Sequence, residues 1–312
     1  MDEKTVWREM ADENYAINRQ RVDWTGIPQV HDYMAELMTG RRQDQRGGWV
    51  LHTLDKHLTP LVQSGRAQYQ DGVSFVTFGC GPALIEKALI ENGWPIKKIV
   101  CREYDAALRH AAEANLTDFP IEKSFEFFDF NDPKGPEGEK FDVAFFSGSL
   151  HHCENLEGFL PYLNSLLGPN SLVIGVDYFG PPRLQVEHET KFILQELFSC
   201  LPEHLRYNLT KGHVDQVFQG QTIAEVRTYD PTEAPRSSDL RSLLFTTFEV
   251  VEKLPLGGTL LRHILANRAG NYRSAEDFAI LSLLMFIERE LIRSYKVQSD
   301  HVYFVLRRTD RL

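Results

Sequence analysis

At residues 75–83 an apolar strand, Phe75-Val76-Thr77-Phe78, runs straight into Gly79-Cys80-Gly81-Pro82-Ala83, and helix-forming residues follow from Ala83 to Asn92. No other stretch restricts the fold as much. Glycines at 79 and 81 remove two side chains where a backbone must take a positive φ or approach a ligand closely. The helix start behind them offers free N–H groups to something polar. A second apolar strand, Ile99-Val100-Cys101, ends in Arg102-Glu103-Tyr104. An acid at that strand end, about twenty residues after the glycine turn, can accept two hydrogen bonds from a ribose diol. A nucleoside-cofactor site is therefore the first expectation, with Phe78, Gly79, Cys80, Gly81, Glu103 and Tyr104 as its candidate residues.

Strands alternate with helices through five strands from Val73 to Tyr178. Such alternation calls for a parallel sheet with helices on both faces and a ligand outside the carboxyl ends of the strands. After the fifth strand the rhythm stops. Residues 179 to 234 form a long excursion containing an amphipathic stretch, Glu189 to Leu201, with Ile193, Leu194, Leu197 and Phe198 as its apolar set. Long excursions of this kind are commonly functional, and a cap over the pocket is the natural reading. Strand character returns at Phe248–Glu252 and His301–Leu306. The expected organisation is an N-terminal helical segment contributing to the cap (1–47), a core (48–180), a cap or substrate insertion (181–234), and the rest of the core with two inserted helices (235–312). The second of those helices, from about Ala275 to Tyr295, is apolar over much of its circumference. It belongs either in the core or at a homodimer interface.

Charge and cysteine usage narrow the function classes. With 34 Lys and Arg against 44 Asp and Glu, the net charge is −10 and no basic run occurs. Nucleic acid, which demands a positive surface, is disfavoured as a partner. The most apolar run, Phe278 to Ile287, is far short of the ~20 residues a membrane helix requires. No signal-peptide pattern opens the chain. Cys80, Cys101, Cys153 and Cys200 show no Cys-x-x-Cys spacing, so neither a zinc site nor a disulfide framework is expected. A cytoplasmic, reduced protein without a metal is the expectation.

A dinucleotide fingerprint needs a third glycine, and its place is taken by Leu84. The glycine turn instead resembles the first motif of class I S-adenosylmethionine-dependent methyltransferases. Two departures stand out: Thr77 where that family often carries an acid, and Ala83 where a glycine is common. Further stretches are similar to the family in order and spacing. They are Glu103 for the ribose, Phe128-Asp129-Phe130 for the adenine, Phe141 to His152 as the fourth strand and the loop beside the methyl donor, and Ser171 to Asp177 as the fifth strand. The resemblance implies a doubly wound Rossmann-like α/β fold with seven strands, the last antiparallel. It implies S-adenosylmethionine as cofactor and S-adenosylhomocysteine as product, with Asp129, Phe130, Ser147 and Gly148 joining the cofactor site.

Gly180-Pro181-Pro182-Arg183-Leu184-Gln185 and Glu233-Ala234-Pro235-Arg236-Ser237 are similar to segments of a bacterial group of small-molecule methyltransferases. That likeness implies a small polar acceptor, a sugar or natural-product hydroxyl first and an amine or guanidine second. A non-catalytic chain that binds the cofactor as a regulatory or scaffold subunit is the rival reading. His151, His152 and His188 are the candidate bases, with packing beside the cofactor as the alternative for the first two and a solvated helix start for the third. Tyr15, Tyr178, Arg183, Glu187, Glu233 and Arg236 are the candidate acceptor contacts. Arg183 and Arg236 can present a fork to an anion or clamp the cap, and Glu233 can meet a cation or brace the next helix.

Overall fold

The computed structural model describes residues 23–41, 48–64, 69–136 and 138–308. Its centre is a seven-stranded sheet: β1 (Val73–Phe78), β2 (Ile96–Glu103), β3 (Glu122–Phe127), β4 (Phe141–Ser147), β5 (Leu167–Tyr178), β6 (Glu249–Gly257) and β7 (His301–Arg307). In space the order is β3-β2-β1-β4-β5-β7-β6, and β7 lies antiparallel between β5 and β6. Every residue of β1 is buried, as a central strand covered on both faces requires. The expected fold class is the one observed.

Among the described residues, ten helices of five or more residues carry the connections and flanks: α1 (Pro28–Thr39), α2 (Gly48–His57), α3 (Leu84–Glu91), α4 (Ala106–Leu116), α5 (Leu156–Ser165), α6 (His188–Ser199), α7 (Ile223–Tyr229), α8 (Ser237–Thr247), α9 (Leu261–Leu265) and α10 (Ala275–Arg293). Shorter helical turns, and a two-residue ladder between 207–208 and 213–214, fill the gaps. Alternate strand residues face opposite ways. Val76, Phe78, Phe146 and Phe304 pack with Phe159 of α5 and Leu240 and Leu244 of α8 on one face. Phe75, Ile99, Val143, Ile174 and Tyr303 pack with Leu54 of α2 and Leu89 of α3 on the other.

The excursion after β5 is not a lid laid over the pocket. Leu194 and Phe198 of α6 pack with Leu261, Ile264, Leu281 and Leu284 of α9 and α10, and with Trp24 and Val30. Burying that apolar stripe needs an apolar partner, and α9 and α10 supply it. Only the short stretch around Thr232 reaches the pocket. Helix α10 buries Leu281, Leu284 and Met285, while Leu283 and Phe286 are exposed on its other side.

Candidate functional site

A cleft of about 280 Å³ opens at the carboxyl ends of β1, β2 and β4, where a doubly wound sheet places its ligand. Gly79, Gly81, Pro82, Glu103, Tyr104, Leu108, Asp129, Phe130, Gly148, Ser149, His152 and Thr232 are among its lining residues. The two glycines serve different needs. Both have positive φ, +65° at Gly79 and +54° at Gly81. A Cβ on Gly79 would stand 2.5 Å from the Ser149 Cβ, whereas one on Gly81 would meet nothing within 4 Å and project into open space. Gly79 lets two strand-end loops touch; Gly81 keeps backbone exposed to the cleft. Ala83, buried, also adopts the left-handed region at φ +53°, which accounts for the glycine common there in the resembling family.

Glu103 is 6 % exposed and its carboxylate braces the turn. It accepts the Gly81 N–H at 2.9 Å and the Asp105 N–H at 3.1 Å. The Tyr104 N–H also bears on the carboxylate, and of its roughly four lone-pair sites what remains faces the cleft. Burial raises its pKa, and the backbone N–H groups pull it back toward the charged form. Asp129 turns one oxygen onto the Asn131 N–H at 2.7 Å and lines the cleft with Phe130. Among the expected cofactor residues, Phe78 instead lies in the core, its ring stacked on Phe146 at 5.2 Å. Cys80 and Ser147 are also off the lining. The Cys80 thiol contacts the Gly81 carbonyl, and Ser147 ends β4 short of the cleft.

Thr77 does not stand alone in place of an acid. Glu86, in the first turn of α3, is 2 % exposed and lies near the Thr77 hydroxyl, which itself makes no well-formed hydrogen bond. Burial pushes the Glu86 carboxyl up to about 7, opposed only weakly by its own N–H and by Thr77. An acid thus sits beneath the glycine turn, contributed by the helix rather than the strand.

At the other end of the cleft the two histidines part company. Asp177, at the end of β5 and fully buried, accepts N–H groups from Ser149 (3.1 Å), Leu150 (2.7 Å), His151 (3.2 Å) and Tyr178 (2.8 Å), and the His151 Nδ1–H at 2.7 Å. Burial would raise its pKa, yet the His151 charge and these donors hold it below the usual value. Burial likewise disfavours charge on His151, but Asp177 and Glu233 more than offset this and raise its pKa to about 9. Its Nε2 faces Glu233 Oε1 at 3.4 Å. His152 lines the cleft, and burial together with the neighbouring His151 charge lowers its pKa, which favours the neutral ring. Its Nδ1 meets the Thr232 carbonyl at 3.2 Å and hydroxyl at 3.0 Å. A carbonyl only accepts, so Nδ1 carries the hydrogen and the lone pair is left on Nε2.

Several expected contacts are occupied elsewhere. Arg183 donates to the Pro231 and Glu233 carbonyls, fastening the loop that brings Thr232 inward. Arg236 makes a two-pronged pair with Glu157 at 2.8 Å and a third bond to Asp239, so it clamps helices α5 and α8. The Tyr178 hydroxyl donates to the Pro181 carbonyl at 2.8 Å. Glu187 lines a separate small cavity, and exposed His188 begins α6; neither borders the cleft. Tyr15 lies outside the described residues. Sequence reasoning missed Ser149, Asn131 and Thr232 as lining residues. For Thr232 no local signal exists, because it stands 80 positions from the histidine it meets. Nor was a metal expected, yet a nitrogen of His151, a nitrogen of His152 and an oxygen of Glu233 lie within 4.8 Å of one another.

Residues 76–175 match a family described as a methyltransferase domain. No curated protein matches the sequence. Geranyl diphosphate C-methyltransferase from Streptomyces coelicolor A3(2), crystallised with Mg2+, geranyl-S-thiolodiphosphate and S-adenosyl-L-homocysteine, is 13 % identical. The alignment covers 83 % of this chain and 78 % of that one, with a TM-score of 0.43. Phosphoethanolamine N-methyltransferase 2 of Haemonchus contortus, in complex with S-adenosyl-L-methionine, is 12 % identical over 98 % of this chain and 60 % of that chain, TM-score 0.47. An S-adenosylmethionine-dependent methyltransferase from Mesorhizobium loti is 14 % identical over 80 % and 96 %, TM-score 0.42. Among the described residues, no helix is long and apolar enough to cross a membrane.

Proposed function

We propose that this chain, a class I S-adenosylmethionine-dependent methyltransferase by its domain at residues 76–175, methylates a hydroxyl of a small polar metabolite. The observation that carries this reading is His152: a neutral imidazole with its tautomer fixed, at the end of the cleft away from Glu103. S-adenosylmethionine supplies a methyl group on a sulfonium centre whose thioether leaves readily, so alignment of the acceptor is the protein's main task. The open backbone at Gly81, the Glu103 carboxylate on the cleft wall, and Asp129 fit the nucleoside end of that cofactor.

A hydroxyl needs somewhere to lose its proton, and a positioned base contributes about 10²–10⁴ in rate. His152 and Glu233 provide the acceptors. His151 is protonated and locked to Asp177, which leaves His152 and Glu233 to draw the proton away. An amine acceptor, once neutral, carries its own lone pair and depends less on a strong base. The sequence expectation of His151 as a base thus gives way to His151 as the charged brace of its neighbour.

The test is to titrate the protein with S-adenosylmethionine and S-adenosylhomocysteine by calorimetry, then to screen polyols, sugars and amines for transfer of a labelled methyl group. His152→Ala should lower turnover on a hydroxyl acceptor at least a hundredfold with cofactor affinity within twofold of wild type, an expectation set by the usual contribution of a base. Transfer only to amines, or turnover untouched in the variant, would remove the hydroxyl reading.

A further inference from the structure

We propose that His151, His152 and Glu233 bind a divalent transition-metal ion at the acceptor end of the cleft. Two imidazole nitrogens and a carboxylate oxygen within 4.8 Å of one another make a two-histidine, one-carboxylate donor set. Imidazole with carboxylate suits zinc or iron(II), and such a set leaves coordination positions open for a ligand. His151 Nε2 already stands 3.4 Å from Glu233 Oε1, close to the spacing of adjacent ligands around an ion with bonds of about 2.0–2.2 Å.

What surrounds the three residues is what a metal site needs. Metal-bound histidines almost always give their other ring N–H to a carboxylate or a backbone carbonyl, which fixes the ring and its tautomer. His151 gives Nδ1–H to Asp177 at 2.7 Å. His152 gives Nδ1–H to the Thr232 carbonyl at 3.2 Å. Both outer partners are in place, and the ion would bind at Nε2 of each ring, His151 releasing its Nε2 proton as the ion enters. The two rings lie side by side, with centroids 4.2 Å apart, an arrangement that leaves two cations poorly tolerated but suits two neutral ligands of one ion. Three carboxylates, Asp177, Asp230 and Glu233, crowd the same pair, with Asp230 Oδ2 3.9 Å from His152 Nδ1. Asp177 and Asp230 are buried and Glu233 is partly exposed, and among the described residues three carboxylates around one protonated histidine favour further positive charge. The nearby Arg183 guanidinium is committed to the Pro231 and Glu233 carbonyls and holds the loop that delivers Glu233.

With the ion bound, His152 is a ligand and no longer the base, so the ion itself would take an acceptor oxygen as a further ligand and lower its pKa, as Lewis-acidic ions do. That use of the ion rests on the methyl-transfer reading above; its binding does not.

The test uses the full chain after dialysis against a chelator, titrated with Co2+ alone by visible absorption and with Zn2+ alone in competition with a chromophoric chelator. One ion per chain is expected, with cobalt bands of an imidazole and carboxylate site. His152→Ala and Glu233→Gln should each weaken binding at least a hundredfold, and Asp177→Asn, which touches only an outer partner, about 10–100-fold. Binding of S-adenosylhomocysteine by each variant reports that it is folded. Glu233→Gln, in a partly exposed loop, carries the test if a histidine variant fails to fold. Absence of stoichiometric uptake, or uptake that survives Glu233→Gln, overturns the ion site. Uptake lost in the variants by a chain that never binds S-adenosylhomocysteine would instead remove the methyl-transfer reading and leave the ion site standing.

Discussion

Glu86 allows the sharpest test of how the glycine turn is supported. Its carboxyl is almost wholly buried, and no cation is among the groups that set its pKa; burial dominates, and the value rises from 4.5 to about 7. A carboxyl that holds its proton more tightly when folded costs stability as pH rises. Between those two values the unfolded chain has released its proton and the native chain has not. From pH 5 to pH 8 the loss for a group so shifted comes to about 2.5 kcal/mol, and burial this complete leaves little solvent screening to reduce it. Glu86→Gln keeps the shape and removes the titration. The variant should be stabilised relative to wild type by under about 1 kcal/mol at pH 5 and by about 3 kcal/mol at pH 8. Urea unfolding followed by tryptophan fluorescence at the two pH values gives the double difference, in which every other titrating group cancels. An equal effect at both pH values would mean that the carboxyl ionises as in water, and the account of a desolvated acid under the turn would be wrong.

Removing the ribose contacts with Glu103→Ala should weaken S-adenosylhomocysteine binding by about tenfold to a hundredfold, since hydrogen bonds to a charged group are typically worth ~1.5–3 kcal/mol; calorimetry reads this, and unchanged affinity would move the nucleoside elsewhere. The two glycines should separate cleanly. Gly79→Ala drives a methyl group against the Ser149 side chain and should lower the melting temperature by several degrees, whereas Gly81→Ala meets only backbone strain of about 1 kcal/mol and should act mainly on cofactor affinity. Equal losses of stability in both would refute the clash at Gly79.

The sheet was legible because its signals are local. Strand runs such as Phe75–Phe78 and Ile99–Cys101 are short, apolar and bounded by turn residues, and the glycine turn fixes where the ligand end lies. The acid of the second strand could be placed because strand ends are set by the same pattern. What stayed hidden depends on distance along the chain. Glu233 and Thr232 reach the histidines only because Arg183 ties their loop by its carbonyls, and no periodicity encodes a side chain gripping backbone. The cap was misplaced for a related reason. Amphipathicity says that α6 must bury Leu194 and Phe198, not that α9 and α10 are its partners. The sequence leaves Arg236 open to an anion or a clamp, and Glu157 decides for the clamp by pairing both of its oxygens with the guanidinium.

The five N–H groups gathered on Asp177 have a kinetic consequence. They come from the loop after β4, from the end of β5 and from a side chain, so withdrawing any one leaves a buried anion less solvated. That wall of the cleft cannot breathe piecemeal. The opposite wall is built from Tyr104, which is 36 % exposed, and from the turn at 129–132. Among the described residues, the exposed side of the cleft is that of Tyr104 and Asn131, and exchange of a nucleoside is expected there rather than beside the histidines.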